Sequence, residues 1–173
     1  SDAVAADLLE RGLRRGDRVA TLTANSPEHV IVFFACAKAG FMLVPLNWRL
    51  AAPELAYVLT DSGADVLIAQ PSAVAEDLPV RKRVTVGDEY EAVLAESSTV
   101  PLDEPVDPDE TCMILYTSGT TGKPKGIAHT HASFPIKAAQ DMAFGTDVGK
   151  GTRISWYTDI GWMMGPWLIY GAL

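Results

Sequence analysis

Apolar positions recur at helix and strand spacings, in alternation, along the first ninety residues. Val4, Leu8, Leu9 and Leu13 share one face of a 3.6-residue period, which predicts a helix over 3–13. After a turn at Gly16-Asp17, residues 19–22 read as a short apolar strand. Ser26-Pro27-Glu28 predicts a helix start, with a capping hydroxyl, a proline at the first helical position and an acid in the first turn. That helix carries Phe33 and Phe34 and is expected to end at Gly40, a residue suited to a C-terminal cap. Residues 41–44 form the next strand. A further helix opens at Pro53-Glu54 and ends near Gly63, followed by strands at 66–69 and 84–86. Strand and helix alternating in this way predict a parallel sheet with helices on its faces, an α/β fold.

Residues 97–110 break the rhythm. They hold Pro101, Pro105 and Pro108, and five acids fall in the last eight positions. With prolines among the acids and no histidine, the stretch reads as an exposed connector rather than a metal site. The expected organisation is a first α/β subdomain at 1–100, an acidic, Pro-rich connector at 101–110, and the start of a second strand–loop–helix unit at 111–173. There is no internal repeat.

Composition narrows the function classes. Apolar residues make up 48% of 173, with 21% charged, enough for a packed core and too apolar for a disordered chain. Fourteen basic against 22 acidic residues give a net charge of −8, which argues against a nucleic-acid-binding surface. Cys36 and Cys112 sit among apolar neighbours without metal-ligand spacing and are expected to be buried free thiols. The longest strictly apolar stretch, 30–37, is too short to span a bilayer, and no secretory signal pattern opens the chain. A cytoplasmic setting is the default expectation. Arg14-Arg15-Gly16-Asp17 and Arg81-Lys82-Arg83 read as a turn and a strand entry with solvated charges.

The chemistry concentrates in residues 116–126, Tyr-Thr-Ser-Gly-Thr-Thr-Gly-Lys-Pro-Lys-Gly, directly after the apolar Met113-Ile114-Leu115. A polyphosphate offers many acceptors and no donors, so a loop that binds it supplies N–H and O–H groups at close range. Glycines let the backbone approach and take positive φ, and successive amides can form a concave anion site. Thr117, Ser118, Thr120 and Thr121 add hydroxyls that donate to phosphate or coordinate a cation. Lys123 and Lys125 offset charge, and Pro124 stiffens the exit. A flexible linker of similar composition would need neither the preceding strand nor the proline-flanked lysines. The Walker-type loop of NTPases fits poorly, because Gly119 and Gly122 are too close together and Pro124 stands at its Ser/Thr position.

Residues 116–126 resemble the phosphate loop of the adenylate-forming superfamily, which includes acyl-CoA synthetases, peptide-synthetase adenylation domains and beetle luciferases. The likeness to the pattern Y-T-S-G-T-T-G-x-P-K-G is complete. It continues upstream through Arg11-Gly12, Asn25-Ser26-Pro27-Glu28, Ala37-Lys38-Ala39-Gly40, Val44-Pro45-Leu46-Asn47, Glu54-Leu55-Ala56-Tyr57 and Asp61-Ser62-Gly63-Ala64. Downstream, 159–165 resemble the D-x-G-W-x-x-G segment of short-chain acyl-CoA synthetases. The resemblance implies ATP, Mg2+, coenzyme A and a carboxylic acid as ligands, and an incomplete form of that family's amino-terminal α/β domain. By it, Ser118, Gly119, Thr120, Thr121, Gly122 and Lys123 hold the phosphates and Thr117 is the magnesium ligand. Lys125 is the catalytic candidate, balancing phosphate charge or bracing the loop. His129, His131, Trp162 and Met163 are candidates for the substrate pocket, against plainer readings as a polar helix start and as core. Met164, Trp156 and Trp167 read as packing residues. The family's later motifs, a Y-G-x-T-E segment, an R-T-G-D aspartate, a hinge and a carboxyl-terminal lysine, have no counterpart here. The expectation is therefore part of an acid–CoA ligase, inactive alone and prone to self-association. Transfer to a carrier-protein thiol, or a non-catalytic nucleotide- or partner-binding module, are the alternatives. The acid itself is not identified.

Overall fold

The computed structural model describes residues 1–73, 77–95, 105–117 and 122–172. The loop crown, 118–121, and the connector up to 104 lie outside the described residues. The elements run α1 (Asp2–Glu10), β1 (Arg18–Leu22), α2 (Pro27–Ala39), β2 (Met42–Pro45), α3 (Ala52–Ser62), β3 (Val66–Ala69), β4 (Lys82–Thr85), α4 (Asp88–Ala95), β5 (Thr111–Thr117), β6 (Lys125–Thr130), α5 (Ser133–Gln140) and α6 (Met164–Ala172). One six-stranded sheet has the order β4-β3-β1-β2-β5-β6. It is parallel from β4 to β5, and β6 pairs antiparallel at the edge. The expected α/β architecture is the observed one.

Strand alternation splits the core in two. Val19, Leu43, Val66, Ile68 and Met113 face a cluster that takes Val32, Phe33 and Cys36 from α2. Ala20, Leu22, Val44 and Leu67 face the other way, toward Leu55, Val58 and Leu59 of α3. The chain leaves β1 for β2 through α2, then crosses back past β1 to β3 through α3, so right-handed crossovers put the two helices on opposite faces. Both helices end on a left-handed glycine, Gly40 at φ 71° and Gly63 at φ 62°. Ser26 does stand at the N-cap of α2, but its hydroxyl makes no capping hydrogen bond. Cys36 and Cys112 are buried free thiols, and burial pushes the Cys112 thiol up to about 11. Among the described residues no helix is long and apolar enough to cross a membrane.

Two expectations need correction, and one element was not anticipated. The loop is not followed by a helix, because β6 returns antiparallel beside β5, from Thr117 opposite Lys125 to Thr111 opposite Thr130. A hairpin wins because each residue of 125–130 gains a ladder position along β5, and the helix forms only after it. The charges at 14–17 and 81–83 are also more than solvated. Arg15 reaches Glu110 at 2.7 Å and the Pro105 carbonyl at 3.3 Å, pinning the end of the connector under the sheet, and Arg81 pairs with Asp65 at 2.5 Å. Finally, α4 adds a buried Tyr90 that the acidic Asp88-Glu89-Tyr90-Glu91 pattern did not announce.

The hairpin explains the two ends of the loop pattern. Tyr116 lies opposite Gly126, and a Cβ there would stand 3.0 Å from both Tyr116 Cζ and Ile114 Cγ2. The ring has little room to yield, because its hydroxyl donates to Asp61 Oδ2 on α3 at 2.7 Å. Gly126→Val is expected to cost about 2 kcal/mol by urea denaturation, and less in a Tyr116→Ala background.

Candidate nucleotide site

The carboxyl ends of β2 and β5 meet the start of α3, and the feet of the hairpin frame the loop. Thr117 and Lys125 are direct cross-strand neighbours, which sets their Cβ atoms about 5 Å apart. Thr117, Lys123 and Lys125 are all exposed, and neither lysine has an ion-pair partner among the described residues. Gly122 sits at φ +85°, and among the described residues nothing lies within 4 Å of a hypothetical Cβ there. A hydroxyl, two unneutralised ammonium groups and a left-handed glycine suit a polyphosphate. Magnesium fits here as an ion carried by that phosphate. No cluster of three acidic, His or Cys ligands exists among the described residues, and Thr117 offers a single oxygen. Ser118, Gly119, Thr120 and Thr121 fall outside the described residues.

Beside the loop feet runs a narrow cleft of about 80 Å³, bordered by Leu46, Asn47, Tyr116, Thr117, Gly161 and Trp162. Burial, and then the Asp61 carboxylate, hold the Tyr116 phenol well above the usual tyrosine range, so it remains a donor. Glu54, also on the rim, is engaged at the start of α3, accepting the Ala51 N–H at 2.9 Å. A broader concavity of about 540 Å³ lies on the other side of Trp162. Trp48, Arg49, Tyr157 and Asp159 line it, and the Arg49 guanidinium stacks 5.2 Å from the Trp48 ring centre.

The predicted residues distribute unevenly. Trp162 borders both hollows, whereas Met163 is 54% exposed and lines neither. Met164 starts α6 and packs on the core, and Trp167 is buried, edge to face with Trp156 at 5.8 Å. His129 and His131 do not line the cleft. The hairpin carries them toward the opposite end of β5: His129 pairs with Met113, four residues or about 13 Å from Thr117 along the strand, and the His131 amide binds the Glu110 carbonyl. The His129 ring instead packs on Phe134, and burial lowers the pKa of both imidazoles. Sequence reasoning passed over Asn47, Glu54 and Gly161 as site residues. For Asn47 the available signal was its place just past the carboxyl end of β2, whereas Glu54 and Gly161 reach the cleft only through the fold.

The family model described as "AMP-binding enzyme" matches residues 1–173. A long-chain-fatty-acid–CoA ligase of Mycobacterium tuberculosis is 42% identical over 152 residues, covering 83% of this chain and 30% of its own length. A fatty acid–[acyl-carrier-protein] ligase of Streptomyces coeruleorubidus is 41% identical, covering 78% of this chain and 27% of its own. Among solved structures, o-succinylbenzoate CoA synthetase from Bacillus subtilis, in complex with an acyl-adenylate intermediate, superposes with a TM-score of 0.84 at 26% identity over 99% of this chain and 44% of that one. The chain thus spans less than a third of the length of these two curated relatives.

Proposed function

The chain belongs to the AMP-binding enzyme family, and from that premise we propose that it is the nucleotide-anchoring part of an ATP-dependent acid–CoA ligase. In such a reaction a carboxylate displaces pyrophosphate from the α-phosphate of ATP, and the acyl group then passes to the thiol of coenzyme A with release of AMP. The observation that carries the reading is the pairing of Thr117 with Lys125 across the mouth of the loop. Thr117 presents a hydroxyl to a phosphate-borne magnesium ion. Lys125 lies alongside it and balances the charge that builds on the phosphates, and Lys123 adds a second cation at the exit. The amides and hydroxyls of the run from Ser118 to Gly122 are the donors assigned to the β- and γ-phosphates. Positioning and charge stabilisation are what such a transfer asks of a protein. Trp162 forms the wall of the acid side, with Met163 beside it.

Lys125→Ala in the full-length protein is expected to raise the KM for ATP about tenfold, with a smaller rise for Lys123→Ala, because Lys125 alone stands opposite Thr117. Acid-dependent ATP–pyrophosphate exchange reads both. Absence of exchange in the wild type with any carboxylic acid would refute the proposal. A second reading, transfer to a carrier-protein thiol, draws support from the likeness to the acyl-carrier-protein ligase. Offering coenzyme A and a phosphopantetheinylated carrier in parallel separates the two.

A further inference from the structure

We propose that Asn25 is a positioning residue: its side-chain amide tethers the turn that carries Trp162, and so sets which carboxylic acids the cleft accepts. The inference rests on the ligase reading above. Asn25 lies in the connection from β1 to α2, at the carboxyl edge of the sheet. The chain is held on both sides of it, by the Ala24 amide donating to Gln70 Oε1 at 3.1 Å and by the start of α2 at Pro27.

From that fixed point the amide uses both of its ends. Nδ2 donates to the Thr158 carbonyl at 2.7 Å, and Oδ1 accepts the Ile160 N–H at 2.7 Å. The side chain thereby copies what a neighbouring strand would offer the backbone. Its orientation is unambiguous, since a carbonyl needs the donor and an amide needs the acceptor.

The remaining bonds of the turn are internal. Gly161 N–H binds Asp159 Oδ1 at 2.8 Å, and Trp162 N–H binds the Asp159 carbonyl at 3.1 Å. Among the described residues, the two bonds to Asn25 are the hydrogen bonds that join 158–162 to the sheet. Trp162 closes this turn and is the shared wall of a cleft of about 80 Å³ and a concavity of about 540 Å³. Where the turn sits therefore decides how far the narrow cleft opens into the broad one. The loop feet, Thr117 and Lys125, are held by the β5–β6 ladder and not by this tether.

The test uses the full-length protein and its Asn25→Ala and Asn25→Asp variants, assayed by ATP–pyrophosphate exchange with acetate, hexanoate and ferulate. In Asn25→Ala the KM for the preferred acid is expected to rise about tenfold, with the bulkier acids gaining relative to it and the ATP KM holding within about twofold, the scale of one or two lost hydrogen bonds. Hydrogen exchange at the Ile160 amide should quicken about tenfold while β1 and β3 keep their protection. Asn25→Asp keeps the acceptor but loses the donor, and should fall between. An active wild type whose Asn25→Ala variant retains its acid KM, or whose acid and ATP KM values rise together, overturns the positioning role alone. A wild type that exchanges with no carboxylic acid, in these three or in a wider panel of fatty and aromatic acids, removes the ligase reading and this inference with it, whatever the amide exchange shows.

Discussion

Gly161→Ala is expected to lower kcat/KM for acid activation about 100-fold while leaving ATP affinity nearly unchanged, the scale set by a misplacement of about 1 Å in a reacting geometry. The glycine is buried against the end of β2, where a Cβ would stand 2.4 Å from the Leu46 carbonyl oxygen, 2.8 Å from its carbon and 3.1 Å from the Asn47 nitrogen. All three are backbone atoms of a strand end fixed in the sheet by the Leu46 N–H to Thr21 carbonyl bond at 2.8 Å. The sheet has no inexpensive way to yield, so the turn must lift and take Trp162 with it. No left-handed φ is involved at Gly161, so this is contact and not backbone strain. Gly149→Ala, with nothing within 4 Å of its hypothetical Cβ, is the control and should change kcat/KM by less than about twofold. Steady-state kinetics on the two full-length variants decide the matter. Near-wild-type acid activation in Gly161→Ala would mean that the position of Trp162 is irrelevant to the acid.

The loop was readable because phosphate binding concentrates small, hydroxyl and cationic residues in one short run, a local signal. Strands β1, β2 and β3 were readable because apolar runs of four or five residues between glycine and proline punctuation leave few alternatives. The termini of α2 and α3 followed from Pro27, Pro53, Gly40 and Gly63. Strand β6 was not readable. Lys-Gly-Ile-Ala-His-Thr has no clear alternation, and its first four residues remain exposed, so only the ladder with β5 makes it a strand. That hidden return misplaced His129 and His131, which a helix would have left nearer the loop. The tether from Asn25 to Thr158 and Ile160 spans more than 130 residues and leaves no periodicity in either segment. Asn25 stood inside a recognisable stretch, yet its partner could be found only in three dimensions. Local propensity announces what the backbone does alone, and the site is completed by contacts that local propensity does not encode.

Acidification should destabilise the fold through His29 before most carboxylates are protonated. His29 lies in the first turn of α2, 1% exposed, with Nδ1 3.1 Å from the Thr23 hydroxyl and Nε2 without a partner among the described residues. Burial lowers its pKa from 6.5 to about 4, because the imidazolium would lose its hydration there and gain no anion. The unfolded chain binds this proton near pH 6.5 and the folded one only near 4. Stability is therefore full above pH 6.5, falls as the pH drops through that window, and stops falling from this cause below 4. At pH 4.5 the loss from this one group is about 2.5 kcal/mol relative to pH 7. Urea denaturation of wild type and His29→Gln at the two pH values measures it, the variant showing a correspondingly smaller difference. His129 and His131, also lowered by burial, contribute equally to both proteins and cancel in the comparison. Identical pH dependence in the two proteins would show that His29 charges without penalty.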